Sequence, residues 1–338
     1  EETKNYNAGL DYALFNSSIY GTFDLYFKNS DDVFGAYSSD PTTGFNQYSA
    51  NTASIRNRGV EFSINSLNAS TDKFAWRTQV TASFNKNEVT AVKTTANTGG
   101  EPLISALQIQ KGYPIDALFG YRYAGLNELG QPQIYTKEGK TKLLEMGGFG
   151  DENVTLDDMQ YMGTTTPKYV LGLNNQFTLG SFDLSFLFMY YGGHVMRIEA
   201  PDPSRMGLAG GRGRLQAGAE NYWKQPGDEQ HTNIPGLPVA NTPGYFDDYT
   251  RTAYTYASDF VRKADHIRLR DIVLTYNLKS AYLSKLGLNS TQLRAQVQNA
   301  FNYTFSGNDI DPDAINRQTG VRRLEQQPFF SLSFYTNF

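Results

Sequence analysis

Three histidines are the only imidazoles with which this chain of 338 residues could perform acid–base chemistry. His194 stands at the end of a predicted strand, His266 within a strand, and His231 in a long loop. A Ser-His-Asp triad is defined by geometry, and its members need not be adjacent in sequence. No G-x-S-x-G segment marks a nucleophile, however. We therefore interpret the histidines as structural or surface residues and predict that the protein is not an enzyme.

An acidic stretch, NDIDPDA at residues 308–314, places carboxylates at alternate positions. Asp309, Asp311 and Asp313 could offer oxygens to Ca²⁺, which prefers oxygen ligands. An EF-hand loop would need Gly at its sixth position and Glu at its twelfth, where this stretch has Ala314 and Gly320. Calcium binding and a solvated acidic turn are therefore the two interpretations, and no other cofactor is indicated.

The segment 194–258 is too long to be a simple connection, and it is rich in aromatic residues. Aromatic faces beside carboxylates suit oligosaccharides, which present C–H faces and hydroxyls together. The same groups would also serve a peptide or a docked partner protein, and loop packing is the remaining alternative. The predicted ligand- or partner-binding residues are Tyr222, Trp223, Tyr245, Phe246, Asp247, Asp248 and Tyr249.

The composition excludes several classes of protein. A net charge of −4 gives no electrostatic reason to expect nucleic-acid binding. The chain has no cysteine for a disulfide or a thiolate metal site. Hydrophobic residues make up 39% of the chain, below the usual globular share, yet aromatic residues reach 14%. This combination suits a structure with one apolar face and one wet face.

Alternation with a period of two dominates the sequence and indicates β-strands. In residues 74–85, for example, Phe74, Trp76 and Val80 face one way while Arg77 and Gln79 face the other. A change of phase in the strand 259–278 predicts a β-bulge near Asp271. We predict about eleven strands, at 3–14, 18–27, 55–66, 74–86, 113–125, 131–137, 167–178, 182–193, 259–278, 291–302 and 329–338.

The connections between these predicted strands alternate between short and long. That alternation is typical of a transmembrane β-barrel, which has short periplasmic turns and longer extracellular loops. Strands of about 10 residues are long enough to cross the hydrocarbon when tilted. The fold class is therefore predicted as all-β, a transmembrane antiparallel β-barrel with 194–258 as a long extracellular loop. A soluble sandwich or propeller is the alternative.

Several ordered segments resemble the SusC/RagA family of TonB-dependent outer-membrane transporters of Bacteroidota. IRNRGVEFSINS (55–66) and FAWRTQVTASFNKNEV (74–89) resemble its N-x-G-x-E-F and F-x-W…N-x-N-x-V segments. GYPIDALFGYRYAGLNELGQPQIY (112–135), FVRKADHIRLRDIVLTYNL (260–278) and LRAQVQNAFNYTFSGNDIDPDA (293–314) resemble later ones. The tail after residue 305 departs from the shorter form that is typical of the family.

The resemblance implies that residues 1–338 form the C-terminal half of a plugged barrel of about 22 strands. The signal sequence, the plug and the first half of the barrel would lie upstream. Family members import nutrients with a SusD-like surface lipoprotein, and TonB acts through the N-terminal part. Plug- or lumen-facing residues would be Arg77, Arg294, Gln296 and Gln298.

The predicted function is therefore TonB-dependent import of oligosaccharide or peptide fragments across the outer membrane. A passive porin, or a structural or assembly barrel, is the alternative. The resemblance further implies that the barrel-assembly machinery recognises a final strand that ends in aromatic residues. Phe334 and Phe338 would be this assembly signal, and they would face outer-membrane lipid.

Overall fold

The computed structural model describes residues 1–38, 47–93, 109–144, 156–203, 217–237, 248–278, 288, 290–307 and 310–337. The described part is mostly β-strand and contains one short α-helix, α1 (Asp248–Thr255). The strands are β1 (Glu2–Leu14), β2 (Ile19–Ser38), β3 (Gln47–Ser70), β4 (Phe74–Val92), β5 (Ala117–Tyr121), β6 (Tyr123–Leu126), β7 (Pro132–Tyr135), β8 (Thr141–Leu143), β9 (Met159–Thr164), β10 (Tyr169–Leu179), β11 (Phe182–Gly192), β12 (Val195–Arg197), β13 (Val261–Lys263), β14 (His266–Leu278), β15 (Ser290–Thr304) and β16 (Phe329–Asn337).

Nine of these strands form one antiparallel sheet in the order β1-β2-β3-β4-β10-β11-β14-β15-β16. The predicted strands 113–125 and 131–137 are not part of it, so the prediction of eleven strands in one wall is wrong for the described residues. They contain β5, β6 and β7, which pair with β9 and β8 in two small separate sheets. From β4 onward the connections still alternate without them, from 93–168 through 180–181, 193–265 and 279–289 to 305–328, whereas β2 and β3 are joined by residues 39–46 alone.

The large sheet has an apolar face and a polar face. On β4 and β10, for example, Trp76 and Phe177 lie on the apolar face, while Arg77 and Gln176 lie directly opposite each other on the polar face. The apolar face is bare among the described residues, since Leu332 is 72% exposed and Phe334 is 62% exposed. The stacked sheets of a soluble sandwich are therefore not found in the described part of the chain.

The two ends of the sheet are built differently. At one end the connections are short, and β10 and β11 are joined by Gly180 and Ser181 alone. Gly180 adopts a positive φ of 59°, as tight hairpin turns require. At the other end, β4–β10, β11–β14 and β15–β16 are joined by the long connections 93–168, 193–265 and 305–328. β2 and β3 also extend beyond their predicted bounds at this end, so much of the predicted loop 28–54 is strand.

The three long connections fold together into a lobe. It contains the small sheets β5–β9, β6–β7–β8 and β12–β13, helix α1, and 3₁₀ helices at Leu156–Asp158, Ala219–Asn221, Asp228–Gln230 and Ser258–Phe260. One apolar cluster joins Tyr121, Ile134, Leu144, Met159 and Ala253. A second joins Met196, Ala264, Ile310 and Ile315. Most buried apolar residues of the described chain thus lie in the lobe and not in the large sheet.

No α-helix within the described ranges has the length and apolar character needed to cross a bilayer.

Candidate functional site

The four residues predicted to face a lumen or plug all lie on the polar face of the large sheet. Arg77 pairs in register with Gln176 on β10, and Arg294 pairs with Ser333 on β16. The side-chain amide of Gln296 donates to both carboxylate oxygens of Asp271 on β14, at 2.8 and 3.0 Å. These positions agree with the predicted orientation, and contact with a plug stays a prediction.

A buried ion-pair network fastens the connection 305–328 onto the polar face of β14. We call it the β14 network, and its members are His266, Arg268, Arg270, Asp311, Asp313 and Arg317. The guanidinium of Arg268 contacts the Asp311 carboxylate at 2.6 Å and the Asp313 carboxylate at 3.3 Å. Asp313 also contacts Arg270 at 3.2 Å and Arg317 at 3.0 Å. Arg268 is 2% exposed, so this is an interior network.

A β-bulge places Arg270 in the network. The register of β14 shifts between Leu269 and Asp271 against both neighbouring strands, which leaves Arg270 without a directly opposite partner. The predicted bulge near Asp271 is therefore confirmed. The guanidinium of Arg270 donates to the Tyr191 hydroxyl at 3.2 Å and lies 5.6 Å from the centre of the Tyr191 ring.

The network holds one carboxylate strongly in its charged form. Burial acts to raise the pKa of Asp313, but His266, Arg268 and Arg270 outweigh burial and hold that pKa far below its usual range. Nε2 of His266 lies 3.7 Å from the Asp313 carboxylate, which is an electrostatic contact and too long for a hydrogen bond. The connection 305–328 is therefore held against β14 by ion pairs.

The second buried histidine, His194, lies beside the network. Its ring is 6.0 Å from that of His266, centre to centre. Burial first, and then the neighbouring Arg317 and His266, lower the pKa of His194 to about 3. The ring is thus neutral at physiological pH. Both histidines pack inside the fold, which agrees with the structural interpretation of the sequence.

Two of the three aspartates predicted as calcium ligands contact arginines. Asp311 and Asp313 are both members of the β14 network, and Asp309 lies outside the described residues. Within the described ranges no three His, Asp or Glu side chains come together as a metal site. Arginine already balances the two carboxylates, and calcium binding stays a prediction without support from this geometry.

Trp223 packs between two loops of the lobe. Its backbone N–H donates to Ile234, and its indole Nε1 donates to Glu229 at 3.1 Å. Gly130 lies so close to the indole that a Cβ there would stand 2.4 Å from the ring. Because Gly130 has a positive φ of 73°, this tight approach depends on glycine. Packing between loops thus accounts for much of the surface that the Trp223 ring buries.

The other residues predicted to bind a ligand or partner, or to signal assembly, contribute little to a site within the described ranges. Tyr222 is half-buried, and its ring lies 5.1 Å from the ammonium of Lys224. Asp248 and Tyr249 begin helix α1. Tyr245, Phe246 and Asp247 lie outside the described residues, as does Phe338. Phe334 stands exposed on the apolar face, opposite Leu293. Binding and assembly roles for all of these residues stay predictions.

A cavity of about 600 Å³ opens where the lobe meets the end of β4. Its lining includes the amides of Asn57, Asn85 and Asn87 and the rings of Tyr113 and Tyr161, whose centres are 5.0 Å apart. Asn87 bridges the lining, since it donates to Asn57 and accepts from the backbone of residue 115, both at 2.8 Å. Mixed amide and aromatic surfaces can bind ligands that carry both hydroxyls and C–H faces.

Sequence reasoning missed the residues that tie the connections together. Arg197 on β12 is 2% exposed and donates to the carbonyl oxygens of Phe119, at 2.6 Å, and Gln318, at 3.1 Å. It thereby joins all three long connections. Its guanidinium also lies 5.0 Å from the centre of the Tyr256 ring. The one available signal was an arginine directly after apolar residues in a glycine-rich segment, and that pattern is not specific.

Curated proteins resemble this chain over most of its length. It is 27% identical to TonB-dependent receptor P39 of Formosa agariphila, over 94% of this chain and 33% of that protein. It is 24% identical to TonB-dependent receptor SusC of Bacteroides thetaiotaomicron, over 89% of this chain and 28% of that protein. The chain therefore spans about a third of the length of these relatives. No family model matches it.

Solved structures show the same fold. The structure of the RagAB peptide transporter aligns with a TM-score of 0.70 at 17% identity, over 98% of this chain and 35% of that one. The RagAB peptide importer in its closed-closed state aligns with a TM-score of 0.73, over 99% and 35%. These relatives and structures confirm that the chain resembles the SusC/RagA family of TonB-dependent transporters.

Proposed function

We propose that this chain is part of an outer-membrane, TonB-dependent importer of oligosaccharide or peptide fragments. A SusD-like surface lipoprotein would capture the ligand above the lobe. TonB would act through a plug encoded upstream of residue 1. The described residues would contribute the wall, the lobe and a polar lining, without enzymatic chemistry.

The observation that carries this proposal is the combination of a bare apolar face with a polar face that a folded lobe covers at one end. An uncovered face of Leu, Phe, Val and Trp side chains would be stable in the hydrocarbon core of a membrane. A lobe with its own core, anchored through the β14 network, gives the polar interior a structured entrance. The relatives named as TonB-dependent receptors support the same interpretation.

Ligand selection would take place at the lobe. The cavity beside β4 combines amides with tyrosine rings, and a ligand pocket commonly has a volume of about 300–1,000 Å³, which the 600 Å³ cavity matches. Because such a surface suits both sugars and peptides, the substrate class has to come from experiment.

A deletion of the full-length gene tests the function directly. The deletion strain and a strain complemented with the wild-type gene would be grown on single oligosaccharides and on defined peptide mixtures. We expect growth on at least one substrate to depend on the gene. Equal growth of both strains on every substrate would contradict a role in nutrient import.

The energy source is tested by following uptake of a fluorescent form of that substrate before and after the proton gradient is collapsed with an uncoupler. We expect uptake to stop, because TonB draws on that gradient. Continued uptake at the original rate would indicate a passive pore.

A further inference from the structure

We propose that the apolar face of β1–β4 carries a binding groove for a phosphorylated membrane lipid, with the acyl chain in the groove and the phosphate beside Arg58 and Lys86. This inference rests on the proposed location in a membrane and goes beyond the proposed transport function. We call the site the β1–β4 groove. The outward-facing residues that line it are Tyr6, Ala8, Leu25, Val60 and Phe84, with Arg58 at one end.

The groove is a concavity of about 470 Å³. It arises because Ala8, Leu25, Val60 and Phe84 lie in one cross-strand row, and the alanine is small. Larger residues bound it, since the rings of Tyr6 and Phe27 lie in the next row toward the lobe. Such a channel between apolar side chains can hold a hydrocarbon chain.

Two cations stand directly opposite each other where the groove ends. Arg58 on β3 and Lys86 on β4 are register partners on the same face, and both are exposed. Like charges at directly opposite positions of an antiparallel pair destabilise it. Neither side chain forms an ion pair with any residue that the structure describes. An anion between them would remove the repulsion, and a lipid phosphate has the required charge.

The next row toward the lobe adds to the positive charge. Arg56 lies over the Phe27 ring at 5.6 Å and donates to Asn29 at 3.3 Å, while Lys4 is paired with Glu2 at 3.3 Å. Glu88 lies opposite Arg56 in this row. With Arg58 and Lys86 added, basic groups exceed acidic ones on this part of the face.

Another part of the apolar face has a different character. Tyr190 on β11, Tyr303 on β15 and Phe305 directly after β15 contact one another, with ring centres 5.2 and 6.2 Å apart. Aromatic girdles of this kind contact the membrane interface without selecting a lipid. The cationic groups thus coincide with the groove, and this coincidence favours an anionic lipid over a neutral one.

The test uses the full-length protein purified in detergent and titrated with diphosphoryl lipid A, with bound lipid counted by native mass spectrometry. The double variant Arg58→Gln/Lys86→Gln should bind this lipid about 25-fold more weakly, since each basic residue near a phosphate contributes about fivefold. The matched control Lys73→Gln/Lys140→Gln removes two exposed cations elsewhere and should bind as wild type does.

A second pair of variants tests the groove itself. Ala8→Phe should fill the channel and weaken binding while the cations remain. Ala295→Phe, on the same face but far from the groove, should have no effect. Inorganic phosphate should compete poorly, and phosphatidylcholine should bind no better to wild type than to the double variant.

Equal affinity of wild type and the Arg58/Lys86 variant for lipid A would overturn the inference, as would unchanged binding to Ala8→Phe. Effective competition by inorganic phosphate alone would show that the site binds an anion without the acyl chain, and this result would also overturn the inference. The growth and uptake assays on Ala8→Phe separate this result from the proposed function, because Lys86 also lines the 600 Å³ cavity beside β4 while Ala8 does not. Import by Ala8→Phe can persist when lipid binding is lost. Absence of wild-type protein from outer-membrane fractions would overturn both.

Discussion

Replacing Arg268 with glutamine should release the connection 305–328 from the large sheet. The substitution removes the buried cation that contacts both Asp311, at 2.6 Å, and Asp313, at 3.3 Å. Removing one partner of a buried ion pair typically costs about 3–5 kcal/mol. We expect the lower end, about 3 kcal/mol, because Asp313 keeps Arg270 and Arg317 as partners. The open form of the connection should then become about a hundredfold more populated.

Limited trypsin digestion of the full-length protein measures this opening. Arg317 is half-buried, and its guanidinium is held by Asp313 at 3.0 Å and by the carbonyl oxygen of Pro312 at 3.0 Å. Cleavage after Arg317 therefore needs the connection to open, and its rate follows the open population when reclosing is fast. Mass spectrometry of the fragments gives the rate in Arg268→Gln relative to wild type.

The control is Lys137→Gln, which removes a surface ion pair with Asp157. Both side chains are more than 60% exposed, at 63% and 64%, so cleavage after Arg317 should not change. An unchanged cleavage rate in Arg268→Gln would refute the idea that the β14 network holds the connection. An equal increase in both variants would show that the effect is not specific to the buried pair.

Three further perturbations follow from the lobe and the sheet. His194 has a folded-state pKa of about 3, below the ordinary value of 6.5, so between these pH values the unfolded chain binds a proton that the folded chain does not. The free energy of unfolding should therefore fall as the pH drops from 6.5 toward 3. The thermal unfolding temperature of His194→Asn should depend less on pH over this range than that of wild type, and an equal dependence would contradict this. Gly130→Ala should destabilise the lobe more than Gly139→Ala in hydrogen exchange, since both positions have positive φ but only the first meets the indole, and equal effects would contradict this. Gly59→Ala should lower the yield of folded protein more than Gly9→Ala, because its Cβ would stand 2.4 Å from a backbone oxygen while the neighbour of Gly9 is a flexible carboxylate; equal yields would argue against that contact.

The sequence was sufficient to predict most of the large sheet. Clean alternation marks strands such as β4 and β10, because successive residues point alternately to the apolar and the polar face of the sheet. The phase change in β14 correctly predicted the bulge, because a single unpaired residue shifts the alternation by one. Both signals depend only on neighbouring residues, so one sequence contains them.

The lobe could not be predicted in this way. Residues 113–125 alternate as a wall strand would, yet Tyr121 is buried in a core that β7, β9 and α1 complete. Nothing local distinguishes an apolar residue on the exposed face of the large sheet from one that packs against another loop. The β14 network is equally non-local, since Arg268 and Asp311 are 43 positions apart. The acidic stretch was recognised as a cluster of ligands, but its partners were arginines on a distant strand.

Arg197 links the three long connections through two backbone carbonyl oxygens, and this arrangement limits how the lobe can be redesigned. Grafting one connection from a relative would leave that guanidinium facing a foreign backbone. We therefore expect a chimaera to fold when the three connections are exchanged together. Single-loop chimaeras, by comparison, should fold poorly even when each loop is well suited to its own two strands.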